Sequence, residues 1–134
     1  MKKVKVAFIC THNSCRSQMA EGFGRALHSD VLDCYSAGTD IADHINPDAV
    51  RLMKDVYHID ISSQYNKTLK EIPAVDIVVT MGCGVQCPSL PCRERYDWGL
   101  EDPTGREDAL FLQTMEQIKE KVSSLADHAA AEYK

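Results

Sequence analysis

Cys10 and Arg16 are separated by five residues, Thr11 to Cys15, where an apolar stretch gives way to a helix-like one. In a loop that short, successive backbone N–H groups can curl inward as a nest that accepts an anion. A helix starting there points its positive end at the same place. The Arg16 guanidinium adds a planar fork suited to two oxygens at once. Such surroundings favour the thiolate, which is the nucleophilic form of cysteine, and Ser17 can steady it with its hydroxyl. The chemistry in view is attack by Cys10 on a tetrahedral oxyanion held by Thr11, His12, Asn13, Ser14, Cys15 and Arg16. A lone cysteine at this point could equally be a buried strand residue. The strand before it, the helix after it and Ser17 in place favour the nucleophile.

The five remaining cysteines need separate explanations. Cys15 is expected beneath the loop and Cys34 in the core. Cys83, Cys87 and Cys92 are separated by three and four residues, with no histidine between His58 and His128. Zinc frameworks show paired short spacings, often with histidine nearby, so neither a metal nor a cofactor is expected. His12 raises the local positive potential or is simply an exposed loop histidine. Trp98 either walls the pocket or fills the core.

These residues need elements to hold them. Lys3 to Cys10 reads as a strand, with Val4, Val6, Phe8 and Ile9 as a β-branched and aromatic run. Ser17 to His28 reads as a helix from the spacing of Met19, Ala20, Phe23 and Leu27. A second strand is expected over Val31 to Ser36, ended by Ala37-Gly38. Asn46-Pro47 starts a helix that carries Val50, Met53 and Tyr57. A third strand, Val75 to Met81, is apolar enough for burial on both faces, and a short fourth is expected from Arg95 to Trp98. From Asp108 a last helix presents Phe111, Met115, Ile118, Val122, Leu125 and Ala129 as one stripe.

Alternating strands and helices imply an α/β fold, a four-stranded parallel sheet with helices on both faces. Ligands bind such sheets beyond the carboxyl ends of the strands. Cys10 ends strand one and Met81-Gly82-Cys83 ends strand three, so both cysteines are expected on one rim. The 134 residues suit one domain. With 44% hydrophobic residues and no apolar run of membrane length, one core and no membrane contact are expected. The start MKKVKVAFIC has a charged end, but Lys5 interrupts its apolar part and no small-residue cleavage site follows, so a cytoplasmic location is expected. A net charge of -5 without a basic block argues against a nucleic-acid partner. Cytoplasmic cysteines are rarely structural disulfides.

The string CTHNSCRSQMAEG resembles the active-site loop and first helix of the low-molecular-weight protein tyrosine phosphatase fold, and most closely the arsenate reductases built on it. The likeness extends to Tyr35-Ser36-Ala37-Gly38, Asn46-Pro47, Val78 to Met81, Trp98-Gly99 and Asp102-Pro103. It implies that Asp102 is a general acid, although an aspartate before proline is otherwise a turn former. Phosphatases of the family carry a tyrosine after their Asp-Pro pair, whereas Thr104 and Gly105 follow here.

The resemblance further implies a relay in which Cys10 attacks arsenate, Cys83 attacks the sulfur of Cys10, and Cys87 attacks Cys83. The disulfide passes outward to thioredoxin or a similar dithiol donor, with Cys92 an alternative to Cys87 as the last thiol. Helical positions four apart have Cα atoms about 6 Å apart, near the disulfide limit of about 6.8 Å. A mobile segment from Gly82 to about Cys92 is therefore predicted, with Gly82 and Gly84 easing its movement. Some members bind potassium through an asparagine, a glutamate, a serine and an aspartate. Asn13, Glu21 and Ser36 match the first three, and Lys67 falls where the aspartate would be, so potassium dependence is not expected. A monomer with weak phosphatase activity is expected. A tyrosine phosphatase is the alternative enzyme, and a non-catalytic oxyanion or zinc-binding module is the alternative of another class.

Overall fold

The computed structural model describes residues 3–82, 91–101 and 103–133. Cys83, Cys87 and Asp102, and most of the segment expected to move between Gly82 and Cys92, lie outside the described residues. The elements run β1 (Val4–Cys10), α1 (Arg16–Leu27), β2 (Leu32–Gly38), α2 (Pro47–Tyr57), a 3₁₀ turn (Leu69–Glu71), β3 (Ile77–Thr80), β4 (Glu94–Asp97) and α3 (Asp108–Glu132). The strands form one sheet in the order β2-β1-β3-β4, all parallel. This is the α/β architecture that the alternating pattern implies.

Side-chain alternation along β1 divides the core. Val4, Val6, Phe8 and Cys10 face a large cluster shared with Met19 and Phe23 of α1, Leu52 and Met53 of α2, and the Phe111-to-Ala129 stripe of α3. Ala7 and Ile9 face a smaller cluster with Ala37, Val75 and Val78. Leu69 of the 3₁₀ turn and Ile72 close that second face. The helix start expected at Asn46 is present: its side chain accepts from Asp48 N at 2.8 Å and Ala49 N at 3.4 Å, and Pro47 opens the first turn. Among the described residues no helix is long and apolar enough to cross a membrane.

The sheet brings the carboxyl ends of β1 and β3 together. Ile9 pairs with Thr80, and Met81 N donates to Ile9 O at 3.1 Å. The first residue beyond β3 thus lies beside Cys10, as expected. At the opposite end Asp76 N donates to Lys5 O at 2.8 Å and Arg93 N donates to Asp76 O at 2.8 Å. Cys92 therefore stands level with the start of β1. At about 3.3 Å per residue this is roughly 16 Å from Cys10 along the strand, well beyond disulfide reach.

Gly82 has φ +80°, and a Cβ there would run into the Gly99 backbone, with Gly99 N at 2.8 Å. The positive φ and the close approach to Gly99 both require glycine here.

Edge strand β4 is tied to α3 through one carboxylate. Glu94 Oε2 accepts from Tyr133 Oη at 2.6 Å, while Oε1 accepts from Tyr96 Oη at 2.7 Å and lies 2.9 Å from His128 Nε2. The Tyr133 and Tyr96 hydroxyls, in that order, hold the Glu94 carboxyl down to about 2, with His128 adding to them against a desolvation cost. A carboxyl depressed in the folded state stabilises it above the ordinary value of 4.5, and loses that contribution as pH falls toward 2. Glu94 is partly exposed, so the contribution is on the order of 1 kcal/mol. Glu94→Gln is expected to lower stability at neutral pH by that amount and to flatten the acid limb below pH ~4, as read by urea denaturation across pH.

Candidate active site

The loop between β1 and α1 is shaped by where its carbonyls go. Thr11 O accepts from Asp40 N at 2.9 Å, His12 O from Ala42 N at 3.0 Å, and Ser14 O from Asn46 N at 2.7 Å. Asn13 O accepts from Gln18 Nε2 and Asn66 Nδ2, both at 3.0 Å, and Cys15 O from Met19 N at 2.9 Å. In a trans peptide the N–H points opposite to the C=O. Drawing these carbonyls outward therefore turns the N–H edges toward the concave side, as an anion nest requires. Asn13 takes the left-handed conformation, φ 52°, that bends the chain back, and asparagine tolerates it. Helix α1 has no side-chain cap hydrogen bond and no acidic residue in its own first turn, so neither dilutes its positive end.

A cleft of about 310 Å³ opens over this loop, lined by Cys10, Thr11, His12, Ser14, Cys15, Arg16 and Thr104. Cys10 is 4% exposed, and its Sγ lies 2.8 Å from Ser17 Oγ. The structure thus brings together Cys10, Ser17 and five of the six residues expected to hold substrate. The sixth, Asn13, does not line the cleft. Its buried side chain donates from Nδ2 to Ser17 Oγ at 2.9 Å and accepts at Oδ1 from Lys67 N at 2.7 Å and Gln18 Nε2 at 3.0 Å. Its side chain builds the loop and does not face the substrate cleft.

Arg16 has a role that its position in the chain does not reveal. It is 4% exposed, and its Nη1 donates to Met81 O at 3.1 Å and Leu100 O at 2.6 Å. One arm of the fork therefore fixes the guanidinium plane against the β3 rim. Thr104, a small polar side chain, lines the cleft at the place where the resembling phosphatases carry an aromatic ring.

Trp98 packs its ring 5.6 Å from Phe8 and lines a separate hollow with Tyr96, Lys121, Ser124, Leu125 and His128, so it belongs to the core and that hollow. His12 is exposed, and its Nδ1 lies 2.9 Å from Asp40 O. Cys34 is buried as expected. Burial, aided by the Glu21 and Asp33 charges and opposed by Arg25, pushes its thiol up to about 12, which keeps it protonated. Cys92 is half-buried against the smaller core cluster.

Behind the loop lies an ionic cluster centred on the buried Glu21 carboxylate. Ser36 Oγ donates to Glu21 Oε1 at 2.6 Å, and Arg25 Nε pairs with Glu21 Oε2 at 2.9 Å. Lys67 Nζ lies 3.4 Å from Glu21 Oε1 and donates to Tyr65 O at 2.8 Å. The positive charge beside Glu21 and Ser36 is thus carried on the chain itself. Gly38, paired with Cys10, leaves no room for a side chain: a Cβ would lie 2.6 Å from Thr11 O and 3.0 Å from Asn13 N. Gly38→Ala is expected to push the loop out of shape. It should cost about 1–3 kcal/mol of stability and about tenfold in kcat/KM through misplaced donors, measured by thermal denaturation and steady-state kinetics.

Gln18 and Gln64 are the residues that sequence reasoning missed. Gln18 is fully buried, and Gln64 Nε2 donates to its O at 3.0 Å and its Oε1 at 2.8 Å. No spacing or residue type marks either. The one available signal is a glutamine beside the apolar positions of α1.

Residues 5–134 match the family described as low molecular weight phosphotyrosine protein phosphatase. The chain is 40% identical over 139 residues to an arsenate reductase of Halalkalibacterium halodurans, covering 95% of this chain and 98% of that protein. A solved arsenate reductase in the phosphate binding state superposes with a TM-score of 0.86 at 37% identity, covering 94% of this chain and 98% of that one. A thioredoxin-dependent arsenate reductase of Corynebacterium glutamicum superposes with a TM-score of 0.78 at 28% identity, covering 96% of this chain and 63% of that one. With Cys10 lining the cleft over the β1–α1 loop, on this parallel sheet and over nearly its whole length, the chain belongs to the low molecular weight phosphotyrosine protein phosphatase family.

Proposed function

We propose that this enzyme reduces arsenate to arsenite. The observation that carries the reading is the Cys10 sulfur at 2.8 Å from Ser17 Oγ, in a cleft rimmed by loop peptides and by Thr104 in place of an aromatic ring. The cleft suits a small tetrahedral anion better than an aryl ester. Relatives that bear the name arsenate reductase over nearly their full length support the same assignment.

The Cys10 thiolate attacks arsenic, and water leaves as an S–As bond forms. Cys83 then attacks the Cys10 sulfur. The S–As electron pair goes to arsenic, which leaves as arsenite, and a Cys10–Cys83 disulfide remains. Cys87 attacks Cys83 and frees Cys10, so the two electrons come from a thiol pair that ends as Cys83–Cys87. Asp102 protonates the departing oxygen. Cys83 follows Met81 by two residues, a reach of at most about 7 Å, and Met81 N is bonded beside Cys10. Cys87 is the final thiol in preference to Cys92, which stands at the other end of the sheet. A thioredoxin-like dithiol in a reducing cytoplasm restores the enzyme, in keeping with the thioredoxin dependence of the Corynebacterium relative. Lys67 supplies the charge beside Glu21, so turnover is independent of potassium. Weak phosphatase activity accompanies reduction, because phosphate and arsenate share shape and charge.

The test is arsenate-dependent NADPH consumption by the wild-type enzyme coupled to thioredoxin and thioredoxin reductase. Turnover that requires all three proteins is expected, with no change when sodium replaces potassium. No NADPH consumption with thioredoxin, glutaredoxin or a small thiol, alongside fast aryl phosphate hydrolysis, would assign the protein as a phosphatase instead.

A further inference from the structure

The amides behind the anion loop have their orientations set by backbone groups. Gln64 Nε2 faces the carbonyl of Gln18 at 3.0 Å, so that atom must be the amide nitrogen. It also lies 2.8 Å from the Gln18 side chain, whose facing atom must then be oxygen. The nitrogen of that side chain faces Asn13 O at 3.0 Å and Tyr65 O at 2.9 Å, two carbonyls that can only accept. Asn13 in turn meets Lys67 N at 2.7 Å and Gln18 Nε2 at 3.0 Å with one atom, which must be oxygen. Its nitrogen therefore faces Ser17 Oγ at 2.9 Å, and the serine oxygen accepts. The Ser17 hydrogen is left to point at its other neighbour, Cys10 Sγ, 2.8 Å away.

We propose that Gln18 and Gln64 are positioning residues which polarise a Gln64–Gln18–Asn13–Ser17 hydrogen-bond chain so that Ser17 donates to the Cys10 thiolate. A serine hydroxyl can turn either way. With Asn13 reversed, Ser17 would donate to the amide oxygen and present only lone pairs to the sulfur, which disfavours the thiolate. Successive hydrogen bonds in one direction also reinforce one another. Gln18 is fully buried and Gln64 half-buried, so the chain begins near the surface and ends at the nucleophile. The proposal rests on Cys10 as nucleophile, but it concerns the sulfur's protonation and not the substrate.

The test is the rate of iodoacetamide alkylation at Cys10 as a function of pH, with the label assigned by fragment mass spectrometry. This readout needs no arsenate, so it separates failure of this proposal from failure of the reductase reading. Gln18→Glu replaces the nitrogen that faces Asn13 Oδ1 with a carboxylate oxygen, which favours the reversed amide and works against the hold of Lys67 N on it. Alkylation on the acid side of the profile is expected to slow about tenfold, the loss of one charge-assisted hydrogen bond, with the high-pH plateau unchanged. Gln64→Met adds no charge and should shift the profile the same way by about two- to threefold, the smaller effect of a more distant link. It decides the matter if Gln18→Glu fails to fold. Ser63→Glu adds an exposed charge next to Gln64 without touching the chain, and its effect should vanish in high salt, whereas the other two shifts persist. A Gln64→Met profile that superimposes on wild type, or a change in plateau without a change in midpoint, overturns the proposal.

Discussion

Cys10→Ser is expected to abolish arsenate-dependent NADPH consumption and aryl phosphate hydrolysis together, whereas Cys83→Ser should abolish the first and leave the second intact. In the proposed mechanism both reactions begin with attack by the Cys10 sulfur on a tetrahedral centre in the same cleft. Serine in that position is a poor nucleophile, since nothing on the loop ionises it, and removal of a nucleophile costs on the order of 10⁶ in rate. Beyond that step the reactions diverge. A phosphoryl adduct on Cys10 is released by water and needs no second thiol. An arsenic adduct yields arsenite only if a sulfur takes the Cys10 sulfur and leaves the electron pair on arsenic. Cys83→Ser therefore stops reduction after one covalent step, while hydrolysis continues. Coupled NADPH assays and chromogenic aryl phosphate assays on the same preparations separate the outcomes. Loss of both activities in Cys83→Ser would make that cysteine part of the anion site and end its role as resolving thiol.

Much of the scaffold was legible because the chain obeys local rules. The β-branched and aromatic run of Val4, Val6, Phe8 and Ile9 announces a strand, the apolar Val75 to Met81 one buried on both faces, and Asn46-Pro47 a helix start. The stripe from Phe111 to Ala129 announces a helix packed on the sheet. The loop that lines the cleft was legible because its candidate residues are contiguous: Cys10, Arg16 and Ser17 lie close together in sequence and need no distant partner to be recognised.

What escaped depends on residues far apart in sequence. Arg16 reaches carbonyls of Met81 and Leu100, and no pattern near residue 16 encodes them. Gln18 and Gln64 act through amide orientation, which only the surrounding backbone groups determine. Asn13 was expected at the substrate as part of a loop of inward N–H groups, and nothing near it in sequence indicates that its side chain joins a buried hydrogen-bond cluster with Ser17, Gln18 and Lys67. Cys92 sits close to Cys87 in sequence, but the parallel pairing of β4 with β3 carries it to the far rim.

Arg16→Lys is expected to reduce arsenate turnover and aryl phosphate hydrolysis by about 10²–10³-fold, the usual effect of losing one preorganised oxyanion donor. The charge is conserved, so a purely electrostatic role would predict little change. Geometry decides otherwise. One guanidinium nitrogen is spent on two carbonyls, Met81 O at 3.1 Å and Leu100 O at 2.6 Å, and this anchors the plane of the fork at the cleft that Arg16 lines. A lysine has a single nitrogen at the end of a flexible stem. If it satisfies the carbonyls it leaves the substrate, and if it meets the substrate it strips Leu100 O of its guanidinium donor at a site only 4% exposed, while Met81 O keeps its bond from Leu100 N at 3.0 Å. An unpaired buried acceptor costs about 1–3 kcal/mol, so thermal stability should fall as well. Tetrahedral anions should bind more weakly, which inhibition of aryl phosphate hydrolysis by inorganic phosphate would measure. Near-normal kcat with weaker phosphate binding would confine Arg16 to ground-state binding, whereas loss of kcat with stability retained would place its contribution in the transition state.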